Sequence, residues 1–364
     1  MKMKKICYLA DASSTHTKKF CDYFSKHGYE IYVISLNEGE IDSAIVYSLD
    51  YEVKKLKNEK TFKKIGYLKS IKNIKKIIKD IKPDIVHAHF ASSYGLLGSL
   101  VNFKPYIISV WGTDIYEFPK SNIINKHILK YNLKKADIVL STSKAMAQET
   151  SLYTNKNIYI TPFGVDVNLF KPIEKEDVNK DSIVIGTIKT LEDKYGIDYL
   201  IKGFKYVKEH FPDKKLKLII GGEGSKREYL QKLSKELEVD KEISFIGYVN
   251  QSDIVEVFNR FDIAVFPSLR ESFGVAAVEA EACGIPVVAT NVGGLPEATK
   301  NGESAILVNS QNEKELGEAI IELIEDEKKR NKMGLAAREF VCKELDVNDN
   351  FKIIESLYTN VLKK

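Results

Sequence analysis

Cysteine is scarce in this chain of 364 residues, which has four, and no two of them form a Cys-x-x-Cys pair. Four cysteines are too few to stabilise a chain of this size by disulfide cross-links, and we expect a reduced protein of the cytoplasm. No group of His and Cys has zinc spacing, and no Asp-x-Asp pair occurs. The sequence therefore disfavours both a disulfide scaffold and a zinc module.

Long apolar runs are also missing. None reaches the roughly 20 residues that a membrane-spanning helix needs. The N-terminal apolar run ends at Asp11, which is typical of a first β-strand and too short for a secretion signal. We therefore expect neither a transmembrane helix nor a secreted protein.

Charge is distributed unevenly along the chain. The formal net charge is +4, but residues 1–172 carry +11 and the remaining residues carry −7. A basic half favours an anionic partner, such as a membrane surface or a nucleic acid. No nucleic-acid-binding module is recognisable, so we do not expect nucleic acid as a partner.

Both halves alternate short Ile/Val-rich runs with helical patterns. Such continuous apolar runs predict parallel strands that are buried on both faces. The predicted strands are residues 5–10, 29–34, 84–89, 106–112 and 136–141, then 182–188, 216–221, 243–246, 263–267, 286–290 and 305–308. The pattern predicts an α/β protein with two doubly wound sheets.

A polar, aperiodic stretch predicts a linker over residues 173–181. It separates a Rossmann-like domain over residues 1–172 from a second one over residues 182–345, and a terminal helix follows over residues 346–364. Doubly wound sheets bind ligands beyond the carboxyl ends of their strands, usually at a domain junction. We therefore sought site residues after the predicted strands.

The segment from Pro267 to Glu279 is the most informative of the chain. A strand ends, a loop follows, and a helix begins near Gly274. Free N–H groups at a helix start attract anions, and glycine lets the backbone approach them closely. Glu271 in the loop and Glu279 in the helix are suited to accept hydrogen bonds from sugar or ribose hydroxyls.

Two glutamates separated by seven residues, with Ser-Phe-Gly-Val after the first, resemble the signature of the family-four retaining glycosyltransferases of GT-B fold, also called glycosyl transferases group 1. The resemblance continues through residues 280–290, 293–297, 221–224 and 245–248. It implies a GT-B architecture: two Rossmann-like domains face a cleft, the first on the acceptor side and the second binding the nucleotide-sugar. It also implies that the C-terminal helix crosses back to pack on the first domain.

The resemblance also implies roles for the second domain's residues. Glu279 would bind the ribose hydroxyls of the donor, and Glu271 would contact the transferred sugar as a catalytic residue. Further donor-binding residues would be Ser272, Phe273, Gly274 and Val275 at the sugar and diphosphate, and Gly247 and Tyr248 at the base.

The expected phosphate-binding cations depart from the family pattern. Members usually have an Arg, then a Lys five residues later that is directly followed by Gly. Here Lys189 replaces the Arg, Lys194 matches the Lys, and Tyr195 is inserted before Gly196. Lysine neutralises a phosphate without the bidentate fork of arginine. We predict that both lysines are catalytic; the alternative is two solvated loop lysines.

The first domain departs further. Members often have a Gly-Gly loop after the first strand, where this chain has Ser-Ser-Thr-His-Thr. Thr15 and His16 are predicted to contact the donor phosphates, although a hydroxyl here could instead cap the next helix.

Three more candidates follow strands of the first domain. Trp111 replaces a histidine that is frequent in the family, and it would either stack on the donor sugar or pack in the core. Asp114 is predicted as a catalytic contact to a hydroxyl, or as a loop or cap residue. His89 would lie on the acceptor side or serve in packing.

The segment Thr61–Pro83 contains eight lysines, and isoleucines recur at helical spacing among them. One hypothesis is a helix that lies on an anionic membrane surface. The alternative is a packed helix with a solvated basic face.

Together these patterns and the family resemblance imply a metal-independent, retaining glycosyltransferase without a cofactor. It would move a sugar from a nucleotide-diphosphate sugar, with a UDP-sugar favoured, to a glycan or lipid-linked acceptor in cell-surface polysaccharide or glycoconjugate synthesis. We expect it in the cytoplasm or peripherally on the cytosolic membrane face. The alternatives are a nucleotide-sugar epimerase of the same fold and a non-catalytic protein that binds a nucleotide-sugar.

Overall fold

The computed structural model describes residues 3–49, 66–173 and 182–363. It divides into two units: Met1–Pro162 with Asn348–Lys364, and Phe163–Val347. The division follows residue 162 rather than residue 172, because Val165 and Phe170 are buried in the hydrophobic core of the second unit. Except for Ile173, the predicted linker lies outside the described residues.

The first unit contains a seven-stranded sheet in which all paired strands are parallel, in the order β3-β2-β1-β4-β5-β6-β7. Its strands are β1 (Lys4–Leu9), β2 (Tyr29–Ser35), β3 (Ile45–Ser48), β4 (Ile85–His89), β5 (Tyr106–Val110), β6 (Ile138–Ser141) and β7 (Ile158–Ile160). The change of direction at β1 and β4 is that of a doubly wound sheet.

Helices connect these strands. They are α1 (Thr15–Lys26), α2 (Ile71–Ile81), α3 (Ser93–Val101), α4 (Thr113–Tyr116), α5 (Phe118–Ser121), α6 (Ile123–Lys135) and α7 (Lys144–Ser151), with a 3-10 turn at Gly66–Ser70. Among the described lysines of the basic segment, Lys72, Lys75, Lys76 and Lys79 are exposed on α2, whereas Ile74 and Ile78 are buried. Lys63 and Lys64 lie outside the described residues.

The second unit contains a six-stranded parallel sheet in the order β10-β9-β8-β11-β12-β13. Its strands are β8 (Ile183–Ile188), β9 (Leu216–Gly221), β10 (Ile243–Gly247), β11 (Ile263–Phe266), β12 (Val287–Thr290) and β13 (Ala305–Val308). Its helices are α8 (Ile197–His210), α9 (Arg227–Glu236), α10 (Ile254–Asn259), α11 (Val275–Ala282), α12 (Leu295–Ala298), α13 (Glu313–Glu325) and α14 (Glu327–Glu344).

The last helix, α15 (Val347–Leu362), joins the first unit from Asn348 onward. Tyr358 is fully buried, and its hydroxyl lies 2.5 Å from Nδ1 of His87 on β4. The predicted return of the C-terminal helix to the first domain is therefore confirmed.

All eleven strands that the sequence predicts are present in the structure, but β3 and β7 were not predicted. Both are edge strands of three or four residues whose side chains are only partly buried. An edge strand lacks the continuous apolar run of a central parallel strand, so its sequence gives little signal. None of the helices in the described parts of the chain is long and apolar enough to cross a membrane.

Candidate active site

Two charged side chains meet beyond the carboxyl ends of β8 and β11 in the second unit. Nζ of Lys189 donates to Oε2 of Glu271 at 2.5 Å, and the two side chains are only 14% and 10% exposed. Central parallel strands end at one edge of the sheet, which brings together residues that lie far apart in sequence. Two of the four residues predicted as catalytic, Lys189 and Glu271, are therefore in direct contact.

The environment of Lys189 keeps its ammonium group charged. Burial is the largest influence on its pKa and lowers it, but Glu271, through its charge and its hydrogen bond, together with smaller contributions from Tyr195 and Glu279, outweighs burial. The net result is a pKa above the ordinary value of 10.5. Glu279 is itself 8% exposed on α11, so the site holds a buried cation between acidic groups.

Lys194 lies in the 3-10 turn Asp193–Tyr195, close to this pair. Its Nζ is 5.4 Å from the ring centroid of Tyr195, and Nζ of Lys189 is 4.6 Å from the same centroid. The structure thus gathers both predicted phosphate-binding lysines around one aromatic ring.

Backbone contacts fix the loop that carries Glu271. The carbonyl of Lys194 accepts the N–H groups of Leu269 (2.9 Å) and Arg270 (3.2 Å). Gly196 has a φ of +62°, and a Cβ there would lie 2.2 Å from the carbonyl oxygen of Pro267. Only glycine permits this approach of the turn to the loop.

Helix α11 begins where the sequence predicts an anion site. Gly274 caps it with a φ of +105°, and the first turn is closed by bonds from Ala277 and Val278 to the Gly274 carbonyl. The N–H groups before them have no acceptor within the helix and give this end a partial positive charge. Ser272 donates its N–H to Oε1 of Glu271 at 3.2 Å, while Phe273 packs in the core and Val275 opens the helix.

The predicted base-binding residues lie at the end of β10. Gly247 has a φ of +76°, its carbonyl accepts the N–H of Gly222 at 2.6 Å, and Tyr248 is 74% exposed. Arg227 forms an ion pair with Glu223 beside them. The sequence analysis did not single out this pair, because an i, i+4 ion pair on a helix start looks like ordinary surface charge.

The first unit gives Asp114 a structural position. One oxygen accepts the N–H of Ala91 at 2.7 Å, and the other accepts those of Trp111 (3.2 Å) and Gly112 (2.8 Å). The side chain is almost fully buried, and burial raises its pKa despite these backbone bonds. These are the contacts of the loop-cap alternative, and the catalytic contact to a hydroxyl stays a prediction.

Trp111 lies in an aromatic cluster and is 8% exposed. Its ring centroid is 4.4 Å from that of His89, 5.2 Å from Phe90 and 5.7 Å from His16. These are the contacts of the packing alternative, and stacking on the donor sugar stays a prediction. Thr15 is exposed at the start of α1.

The histidines of this cluster are held neutral. Burial lowers the pKa of His16. Burial also lowers the pKa of His89, and the neighbouring His87 and His16 lower it further. Nδ1 of His89 lies 3.5 Å from the hydroxyl of Thr17, and its buried Nε2 has no hydrogen-bond partner among the residues that the structure describes. In a neutral imidazole such a nitrogen donates or accepts a hydrogen bond, depending on the tautomer.

One buried carboxyl escaped the sequence analysis. Glu281 on α11 is fully buried, and the hydroxyl of Ser304 donates to its Oε1 at 2.6 Å. Burial raises its pKa well above the ordinary value. Among the described residues, no group of three His, Cys, Asp or Glu side chains is placed to hold a metal ion.

Two family models match this chain. Glycosyl transferases group 1 matches residues 170–340, and Glycosyl transferase 4-like matches residues 5–143. An uncharacterized glycosyltransferase of Methanocaldococcus jannaschii is 28% identical over 316 residues, which cover 84% of this chain and 82% of that protein.

Solved structures resemble the fold over almost the whole chain. Sucrose-phosphate synthase from Thermosynechococcus elongatus has a TM-score of 0.86 at 18% identity and covers 99% of both chains. Anabaena HepE in complex with UDP and glucose has a TM-score of 0.80 at 21% identity, covering 98% of this chain and 100% of that one. The two sheets described above are those of the GT-B fold. On the matched models and the shared fold, the chain belongs to the group 1 glycosyltransferases.

Proposed function

We propose that this glycosyltransferase transfers a sugar with retention of anomeric configuration from a nucleotide-diphosphate sugar, without a metal ion. The observation that carries the proposal is the buried Lys189–Glu271 pair, with Glu279 among the charges that act on Lys189. A nucleotide-diphosphate sugar is anionic at its diphosphate and carries hydroxyls on its sugar and ribose. A fixed cation suits the diphosphate, and the neighbouring acceptor oxygens suit the hydroxyls.

The charges are arranged for departure of a nucleoside diphosphate. When the bond between the anomeric carbon and the diphosphate breaks, negative charge grows on the phosphate and positive charge on the sugar. Lys189, Lys194 and the start of α11 supply positive charge for the phosphate. Glu271 and Glu279 accept hydrogen bonds from the hydroxyls of the sugar and the ribose.

Retention does not require a carboxylate nucleophile here. Glu271 is paired with Lys189, which disfavours its attack on the sugar. A donor phosphate oxygen instead accepts the proton of the acceptor hydroxyl, on the face that the leaving group vacates. The acceptor oxygen then bonds to the anomeric carbon, so configuration is kept and protons balance.

A UDP-sugar is our favoured donor. UDP and glucose occupy the similar HepE structure, and the exposed Tyr248 beside Gly247 offers a ring on which a base can stack. For the acceptor we propose a glycan or lipid-linked glycan in cell-surface polysaccharide or glycoconjugate synthesis, on the strength of the first unit's basic surface.

That surface supports a peripheral position on an anionic membrane. The lysines of α2 are exposed while its isoleucines pack inward. This helix therefore presents charged side chains, and no apolar ones, to a membrane. At the start of α6, Ile123 and Ile124 are each 63% exposed beside the exposed Lys120 and Lys126. Apolar side chains flanked by cations suit the interface of an anionic bilayer. Flotation with anionic and neutral vesicles tests this, and equal binding of both would contradict it.

The test of the enzymatic proposal is nucleotide release from a panel of UDP-, GDP- and ADP-sugars, with and without EDTA. We expect slow hydrolysis of one donor, insensitive to EDTA, and lost in Glu279→Ala. Glu303→Ala, which removes an exposed carboxylate of the same unit, is the matched control and should retain the rate. Inhibition by EDTA would contradict the metal-independent mechanism.

The two alternatives give different outcomes in the same assay. An epimerase changes the sugar of the donor without net transfer to an acceptor. A non-catalytic binding protein is stabilised by a donor, as seen in its thermal unfolding, yet releases no nucleotide with any acceptor. Trp111 and the altered loop before α1 motivate this second alternative.

A further inference from the structure

Tyr195 stands where the chain departs from the lysine-glycine pair of its family. Its ring centroid is 4.6 Å from Nζ of Lys189 and 5.4 Å from Nζ of Lys194. A cation within about 6 Å of an aromatic face is attracted by the quadrupole of the ring. One ring therefore contacts both ammonium groups that the proposed function places at the diphosphate.

The position of this ring is fixed by the protein. Tyr195 packs against the hydrophobic core of the second unit, and its N–H donates to the carbonyl of Glu192 at 3.0 Å. Asp193, in the same 3-10 turn, forms an ion pair with Lys226 at 2.8 Å. Contacts within the protein therefore fix the ring, and no bound ligand is needed to position it.

We propose that Tyr195 is a positioning residue, whose ring holds the two ammonium groups at the diphosphate site before the donor arrives. This inference rests on the proposed function. Lysine has a flexible stem and lacks the planar fork of arginine, and two nearby cations repel each other. A shared aromatic ring, together with Glu271, offsets that repulsion and reduces the reorganisation needed when the phosphate binds.

The test compares ligands with and without phosphate. Dissociation constants of UDP, GDP and ADP, and of the corresponding nucleosides, are measured by calorimetry or ligand-detected NMR for wild type, Tyr195→Leu and Tyr195→Phe. Leucine keeps an apolar side chain against the core but has no aromatic face. Phenylalanine keeps the face and removes only the hydroxyl.

We expect Tyr195→Leu to weaken the preferred nucleoside diphosphate by roughly 3- to 30-fold, as a partly desolvated cation–π contact implies. Binding of the nucleoside should stay within about twofold, because it does not reach the lysines. Tyr195→Phe should bind both ligands like the wild type.

Phe211→Leu is the matched control. Nζ of Lys214 lies 4.9 Å from the Phe211 ring centroid, but this pair precedes β9, at the end of the strand opposite the candidate site. Its removal should leave diphosphate affinity unchanged. Thermal unfolding of each variant reports whether the fold is intact.

Three results would overturn the inference: unchanged diphosphate affinity in Tyr195→Leu, an equal loss for nucleoside and diphosphate, or a loss in Tyr195→Phe as large as in Tyr195→Leu. A wild-type protein that binds none of the diphosphates refutes the proposed function first, and the inference falls with it.

Discussion

The ammonium nitrogen of Lys189 lies 2.5 Å from a carboxylate oxygen of Glu271, across 82 residues of sequence. The pair is mostly buried, so removing either partner leaves an uncompensated charge in a poorly solvated place. Under the proposed function, the activity and the stability of the second unit would depend on this same contact.

Lys189→Met should lower kcat/KM for the preferred donor by roughly 10²- to 10³-fold, because a fixed cation no longer faces the leaving phosphate. Lys189→Arg should recover part of the rate, since the charge is kept. Steady-state kinetics with the donor that the nucleotide-release panel identifies measures both. A Lys189→Met enzyme within threefold of wild type would show that this ammonium group does not serve the reaction.

Asp114→Asn should destabilise the protein by about 1–3 kcal/mol while the folded fraction keeps its kcat. The amide nitrogen of asparagine cannot accept the backbone N–H groups that the carboxylate now accepts. Chemical denaturation and kinetics on the folded protein separate the two effects. A large loss of kcat at unchanged stability would restore the catalytic role predicted from the sequence.

Glu281→Gln should change how stability depends on pH. Burial raises the pKa of Glu281 above the 4.5 of the free side chain, so folding favours its protonated form. Its stabilising contribution is complete below pH 4.5 and declines as pH rises toward the folded-state value, at up to about 1.4 kcal/mol per pH unit. Glutamine has no such proton to lose.

Urea denaturation of both proteins between pH 5 and 8 checks this. Wild type should lose stability relative to Glu281→Gln as pH rises. Because other titrating groups are common to both proteins, they cancel in the difference. Parallel pH profiles would mean that Glu281 ionises without cost in the folded protein.

Tyr358→Phe should loosen the C-terminal helix. Its hydroxyl bonds to Nδ1 of His87, whose Nε2 lies 2.8 Å from the hydroxyl of Ser109. Removing the hydroxyl leaves a buried nitrogen without a partner, at a cost of about 1–3 kcal/mol. We expect faster limited proteolysis within α15, and Ser356→Ala at an exposed position of the same helix serves as a comparison. Equal proteolysis of wild type and Tyr358→Phe would argue against this anchor.

Acid should weaken the same network. Burial lowers the pKa of His87 from 6.5 to about 3, so the folded state favours the neutral ring. The stability that this contributes is present above pH 6.5 and is lost as pH falls toward 3. His87→Gln should flatten the decline of stability over this range, and denaturation at pH 7 and pH 5 measures it.

Several features followed from local sequence alone. Ile/Val-rich runs such as residues 216–221 predicted the central strands, because a parallel strand covered on both faces needs apolar side chains at every position. The glutamate pair with Gly274 between its members predicted a loop that enters a helix, and the structure has that helix beginning at Val275. These signals are local, so the sequence displays them directly.

Tertiary structure decided the rest. Whether Asp114 serves a substrate or three backbone N–H groups depends on where Ala91 lies, and whether Trp111 is open or packed depends on His89 and Phe90. In the sequence Tyr195 is only an insertion before Gly196, whereas in the structure its ring lies beside two lysines. Residue patterns record burial and backbone preference, whereas partners across loops are fixed only when the strands pair and their carboxyl ends meet at one edge of the sheet.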